Sequence, residues 1–224
     1  MTQDSADRDL TGPNADQAPE HAAPQNTWLS LLDWRRRVAR LYEGVREAAD
    51  PEAAQTSWKA GRDALFGGHA QSPLSPQARA TFTGLPYWPY DPALVFSVPV
   101  DTDVTPERFV VQTSAGHDMP LVRFGRVTLP FGTLDVYWID VYGGGVFLPF
   151  RDATSGHESY GGGRYLLDTV KSADLGSAAS GGLILDFNFA YHPSCFYDDR
   201  WSCPLAPPAN VLKVRIEAGE RAIP

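Results

Sequence analysis

Only two cysteines and two methionines occur in the 224 residues, and no run of apolar residues approaches the roughly 18 needed to cross a bilayer. So few cysteines exclude a disulfide-dense secreted scaffold and any zinc module built from four thiolates. No apolar signal segment precedes the first charged residues, which predicts a soluble, cytoplasmic protein with no membrane partner. Basic charge is also scarce. With 19 Lys and Arg against 27 Asp and Glu, the net charge is -8, so the chain lacks the basic surface by which a nucleic-acid partner would be held. The one basic cluster, Arg35-Arg36-Arg37 with Arg40, reads as the solvated face of a helix. Catalytic fingerprints are missing too: the chain has no Gly-x-Ser-x-Gly elbow, no His-Glu-x-x-His helix and no phosphate loop. Any cofactor is left unidentified.

What is present suffices for one domain, since 43% of the residues are hydrophobic and 12% aromatic. Residues 1–25 are rich in Asp, Ala, Pro and Gln and read as a disordered tail, leaving 26–224 as a single domain. Its first part, 26–84, is helical. Trp28, Leu31, Leu32, Val38, Leu41, Tyr42 and Val45 recur at helical spacing; Asp50-Pro51-Glu52 starts a second helix that Gly67-Gly68 stops; Ser75-Pro76 starts a short third helix running to Phe82 and Gly84. From 92 to 219 the period becomes two. Leu94 to Val100, Phe109 and Val111, Val127 and Leu129, Leu134 to Trp138, Val146 to Phe150, Arg164 to Thr169, Leu183 to Phe189 and Val211 to Glu217 read as strands joined by short turns. The fold class is therefore mainly β, an antiparallel barrel or sandwich of about eight strands with two to three N-terminal helices packed on it.

Polar, aromatic and glycine residues concentrate between 158 and 219. Gly161, Gly162 and Gly163 followed by Arg164 can present backbone N–H groups and a guanidinium to one anionic group, or make a bulge or tight turn. Gly143 to Gly145 reads as a hairpin turn only. An inward Arg164 must be paired, by Asp152, by Asp186 or by a ligand. Tyr160, Tyr165, Tyr191 and Trp201 serve equally as core plugs or pocket walls, and Asp186 and Asn188 complete the candidate ligand-binding set.

Three readings stay open for Cys195 and Cys203. With His192 they spell His-x2-Cys-x7-Cys, three metal ligands to which Asp198, Asp199 or His157 would add a fourth, although this is not a recognised zinc spacing. The pair also admits a disulfide, worth about 2–3 kcal/mol by loop entropy, or two packed thiols in a reducing cytoplasm. A Cys–His dyad between His192 and Cys195 would make the thiol a nucleophile.

Linked motifs at these positions resemble a known family. Leu85-Pro-Tyr-Trp-Pro-Tyr-Asp91, Leu148-Pro-Phe-Arg-Asp-Ala-Thr154, Glu158-Ser-Tyr-Gly-Gly-Gly-Arg-Tyr165, Asp186-Phe-Asn-Phe-Ala-Tyr191, Cys203-Pro-Leu-Ala-Pro-Pro208 and Ile216-Glu-Ala-Gly-Glu220 are similar to domain-of-unknown-function family 1684 of bacteria and archaea, over about residues 56 to 222. The resemblance carries no established activity. It implies that Arg164, Asp152, Asp186, Asn188, Tyr191 and the cysteines are shared, and that Asn is usual where this chain has His192, which weakens both the metal and the dyad readings.

The leading expectation is a binding module holding a small polar or anionic ligand in a pocket around Arg164 and the Gly161–Gly163 turn. The alternatives are an enzyme of unknown reaction using Asp186 or Cys195 and Cys203 in the same pocket, with Arg164 as electrostatic stabiliser, and a purely structural polar network. Ligand identity and oligomeric state are not legible in these residues.

Overall fold

The computed structural model describes residues 27–222, so the expected N-terminal tail lies outside the described residues. Three helices come first, α1 (Thr27–Glu47), α2 (Pro51–Gly68) and α3 (Pro76–Ala80). Their starts follow from capping chemistry. The Asp50 carboxylate accepts the Glu52 and Ala53 N–H groups at 3.0 and 3.2 Å, and Ser75 Oγ accepts that of Ala78 at 3.1 Å. The third helix stops at Ala80, two residues short of Phe82. No described helix is long and apolar enough to cross a membrane.

Seven strands follow: β1 (Val95–Val98), β2 (Glu107–Gln112), β3 (Asp118–Leu129), β4 (Gly132–Ile139), β5 (Gly145–Phe150), β6 (Arg164–Asp168) and β7 (Leu183–Asp186). The protein is mainly β, with every ladder antiparallel. Strands β2 to β6 form one sheet in sequence order, and β1 pairs with β7 in a second. No ladder joins β2 to β6, so the larger sheet is not closed into a barrel. The main core draws on both sheets: Val127, Leu134, Leu148, Phe150 and Leu166 pack with Leu185 and Phe187, and Phe96 and Val98 of β1 lie against them.

Two expected strands are cut short, for one physical reason. The Leu183 to Phe189 segment leaves the sheet after Asp186, whose carboxylate accepts the Asn188 N–H at 2.9 Å and caps a short 3-10 turn, Phe187–Phe189. Val211 to Glu217 forms no ladder. Val211 bridges Arg151, the Leu212 N–H reaches the Arg151 carbonyl at 2.8 Å and the Val214 carbonyl accepts the Ala153 N–H at 2.9 Å; at Ile216 side chains take over, Asp152 accepting its N–H at 2.7 Å and Arg164 donating to its carbonyl at 2.8 Å. The alternation itself holds at Leu212 and Ile216, which are buried.

The helical layer docks through Trp58 of α2, which packs edge-on against Tyr42 of α1 at 6.1 Å, Tyr87 at 5.8 Å and Phe189 at 5.2 Å. Gly61 lets α1 approach, because a Cβ there would stand 2.2 Å from Leu41 Cδ2. Trp58 is 1% exposed. Trp58→Ala should therefore lower the unfolding free energy by about 3–5 kcal/mol, read by urea titration; a loss under about 1 kcal/mol would show that the helices do not share the core.

Candidate functional site

Arg164 opens β6 with its side chain wholly buried, and its donors are turned into the protein. Nη1 donates to the carbonyls of Ala218 at 2.5 Å and Glu220 at 3.2 Å; Nη2 donates to the Ile216 carbonyl at 2.8 Å and to Asp152 Oδ1 at 3.4 Å. The rings of Trp88 and Phe150 flank the guanidinium at 4.9 and 5.0 Å. Burial pulls Arg164 down to about 10, opposed by the Asp152 charge, so it stays cationic at neutral pH. Asp152 is equally committed: beyond Arg164 it accepts from the Thr154 hydroxyl at 2.9 Å and the Ile216 N–H at 2.7 Å. Nε is the one guanidinium atom without a partner.

The glycine run beside it is a turn. Gly163 has φ +98, and a Cβ there would stand 2.6 Å from the Phe150 carbonyl oxygen, so only glycine fits. Its N–H closes on the Tyr160 carbonyl at 3.0 Å, and the Gly162 carbonyl accepts from Ala206 at 3.1 Å. Gly161 is exposed.

Asp186 is not brought to Arg164. Its carboxylate holds the Asn188 amide at 2.8 Å, and Asn188 in turn exchanges hydrogen bonds with the Asp91 backbone, both at 2.8 Å. It borders a separate hollow of about 220 Å³ beside Val45, Arg46 and Phe189. Burial raises its pKa, with the Asn188 hydrogen bonds opposing. The expectation of one pocket shared by Arg164, Asp186 and the thiols is thus corrected: the guanidinium and Asp152 belong to an internal clamp, and Asp186 with Asn188 braces the 3-10 turn.

The clamp positions a second buried ion pair that sequence reasoning passed over. Holding the Ile216 to Glu220 carbonyls places Glu220, whose side chain is inaccessible, 2.7 Å from Arg62 Nη2 of α2. Arg62 also donates to Tyr87 Oη at 3.0 Å and lies over the rings of Trp58, Phe66 and Tyr191 at 4.9, 5.1 and 5.1 Å. Glu220 Oε2 accepts the His192 N–H at 3.1 Å, and its Oε1 stands 3.6 Å from His192 Nδ1. Because His192 Nε2 accepts the Tyr160 N–H at 3.2 Å, the imidazole proton is assigned to Nδ1, facing Glu220. Burial would raise Glu220, but Arg62 and His192 outweigh it and its pKa falls below the ordinary value. Arg62 did carry a signal: it sits four residues after Trp58 and four before Phe66, on the apolar face of α2.

With Nε2 taken by the Tyr160 N–H and Nδ1 turned toward Glu220, His192 makes no Cys–His dyad. Among the described residues no three His, Cys, Asp or Glu side chains converge as metal ligands. Asp198 instead accepts the Arg200 N–H at 3.0 Å, and Asp199 and His157 are exposed. Cys195 and Cys203 are thiols, the first half-buried and the second buried.

A hollow between α1 and the 191–203 loop gathers Tyr165, Tyr191 and Trp201, but not Tyr160, of the aromatic residues predicted as pocket walls. An outer chamber of about 180 Å³ is lined by Trp34, Arg35, Lys171, Ser194, Trp201 and Cys203 among others. An inner pit of about 70 Å³ shares Trp34, Lys171 and Ser194 with it and is floored by Arg62, Tyr165, Tyr191 and His192. Tyr165 donates to the Pro204 carbonyl at 2.5 Å, and Trp201 Nε1 donates to that of Pro73 at 3.2 Å, so both walls are fixed. Lys171 Nζ stands 3.5 Å from Asp168 with half of its side chain exposed. The larger groove of about 560 Å³ between α1 and α2 is bordered mostly by Ala, Gly and aliphatic side chains and gathers no comparable polar set.

A family model described as Protein of unknown function (DUF1684) matches residues 80–221. Among solved structures, an uncharacterised protein of Haloarcula marismortui determined by solution NMR is 34% identical, with a TM-score of 0.53, over 76% of this chain and 94% of its own. No curated protein matches.

Glu220→Gln leaves Arg62 without its anion and should cost about 3 kcal/mol at pH 7, measured by chemical denaturation. A depressed carboxylate contributes stability above its unfolded pKa of about 4.3 and loses it as pH falls through the folded value. The gap between wild type and variant should accordingly be full above roughly pH 5 and close in stronger acid; a gap that does not change with pH would contradict the pairing.

Proposed function

The chain belongs to the family described as Protein of unknown function (DUF1684), and from the geometry of the cleft we propose that it is a binding module for a small anionic molecule with a planar or apolar body. The observation that carries this reading is that the two hollows share Trp34, Lys171 and Ser194 in their linings. Aromatic walls favour a flat, apolar body. Lys171 and Arg35 at the opening supply positive charge on a chain whose net charge is -8, so the local sign opposes the global one.

Size limits the ligand. Both chambers fall below the roughly 300 Å³ at which drug-sized pockets begin, which favours a molecule of few heavy atoms. Tyr165, Tyr191 and Trp201 keep the wall role foreseen for them, whereas Arg164 and Gly161–Gly163 act at a distance by fixing the segments behind the cleft. The matched family region, 80–221, supplies Lys171, Tyr191 and Trp201, while Trp34, Arg35 and Arg62 lie before it. On this reading the helices complete a site that the β-part opens.

Native mass spectrometry of freshly purified protein should detect a retained small molecule, and titration with benzoate or indole-3-carboxylate should quench tryptophan emission saturably. Lys171→Ala should weaken that binding by about tenfold, the loss of one charge-assisted contact. No retained molecule and no saturable change up to millimolar concentrations would overturn the reading.

A further inference from the structure

Asp186 ends β7, and the ladder with β1 fixes which way it points. It stands directly across from Val95, and Ile184, two residues earlier, stands across from Ser97. Side chains alternate along a strand, so Ile184 and Asp186 share a face with Val95, while Leu185 and Phe96 turn to the main core. The face they share lies toward the helices, where Ile184 joins the cluster of Tyr42, Trp58, Leu175 and Phe189. A carboxylate is thus set among apolar side chains.

Every other buried carboxylate of the described residues has a cation beside it. Asp135 lies 2.6 Å from Arg126, Asp152 3.4 Å from Arg164, Asp168 3.5 Å from Lys171 and Glu220 2.7 Å from Arg62. Asp186, only 4% exposed, forms no ion pair with any described residue. Its Oδ1 takes both the N–H and the side-chain amide of Asn188, at 2.9 and 2.8 Å, and its Oδ2 accepts no hydrogen bond from any described residue. Arg46 borders the same hollow but is drawn elsewhere: Nη1 donates to the Asp174 carbonyl at 2.7 Å, and the stem passes over Gly176, where a Cβ would stand 3.1 Å from Arg46 Cδ. An unpaired carboxylate with so little access to water is costly.

The hollow itself tells what would pair it. Its volume is about 220 Å³, and Val45, Pro51, Val95, Leu175, Ile184 and Phe189 give it apolar walls. One carboxylate in such surroundings is no cage for a hard metal ion, which takes about six oxygen ligands, and no three metal-ligating side chains converge among the described residues. An organic cation fits both halves, since it carries charge at one end and hydrocarbon at the other.

We propose that this hollow is a second binding site, for a small alkyl- or arylammonium ion whose nitrogen sits against Asp186 Oδ2 and whose apolar body lies on Val95, Ile184 and Phe189. The site is independent of the anion cleft, because the two linings have no residue in common. Burial holds the Asp186 pKa above its ordinary value, opposed by the Asn188 hydrogen bonds, and an ammonium ion would relieve that burial penalty. A net charge of -8 favours the approach of a cation. The hollow is smaller than the roughly 300 Å³ at which drug-sized pockets begin, so an amine of few carbons is the match.

Calorimetric titration of the full chain at pH 7 with benzylamine, set against benzyl alcohol and benzoate, tests this. Benzylamine should bind saturably, and benzyl alcohol, with the same ring and no charge, should bind at least roughly tenfold more weakly. Excess benzoate should not displace the amine, whether or not benzoate occupies the cleft. Asp186→Asn keeps an oxygen for Asn188 and removes the charge; it should bind benzylamine roughly tenfold more weakly. If that variant does not fold, Val95→Trp narrows the hollow from its exposed wall with the carboxylate intact, and it should lose the binding as well. No saturable binding of benzylamine, equal binding of benzyl alcohol, displacement by benzoate, or full affinity in a folded Asp186→Asn or Val95→Trp overturns the proposal.

Discussion

Three carbonyls of the C-terminal segment, those of Ile216, Ala218 and Glu220, converge on the guanidinium of Arg164, and most of what surrounds the cleft depends on that capture. A stretch that might have paired as an eighth strand is instead gathered by one side chain, with Asp152 neutralising the charge and binding the Ile216 N–H. The consequence reaches well beyond the clamp. Glu220 is carried beneath α2 and the His192 backbone, where it meets Arg62 and fixes the start of the loop that bears both thiols. Two buried ion pairs in series thus tie β6 to the C-terminal segment, and that segment to the helices. Such pairs add little net stability over apolar packing, but removing one partner leaves a stranded charge. Their effect here is to specify one arrangement of segments that have few ladder hydrogen bonds of their own.

Much of the fold was legible because its signals are local. Asp50-Pro51 and Ser75-Pro76 start helices for reasons contained within four residues, and the period-two pattern finds β1 to β7. The Val211 to Glu217 segment shows the limit. Its alternation correctly buries Leu212 and Ile216, but whether its peptide groups meet a strand or a guanidinium is not written in its own residues. Arg164 was legible as an inward cation requiring Asp152 or Asp186, and Asp152 is its partner. Backbone carbonyls have no sequence signature, so its remaining acceptors were invisible, and with them the fact that it is fully enclosed.

The candidate site moved for the same reason. Tyr160, Tyr165, Tyr191 and Trp201 were read as core plugs or as walls of a pocket around Arg164; Tyr165, Tyr191 and Trp201 instead border hollows that Arg164 does not line, where the cations include Lys171 and Arg62. Arg62 comes from α2, before the residues that the family model matches, so a reading concentrated on the motif-rich region had no reason to weigh it.

The central claim is that Glu220 transmits the order of the C-terminal segment to α2 and to the 191–203 loop. Hydrogen-exchange mass spectrometry of Glu220→Gln against wild type at neutral pH measures this directly. The account predicts that protection falls together in the C-terminal segment, in α2 around Arg62 and in the loop beginning at His192, while β3 and β4 keep theirs. Loss confined to the C-terminal segment, with α2 and the loop unchanged, would contradict it.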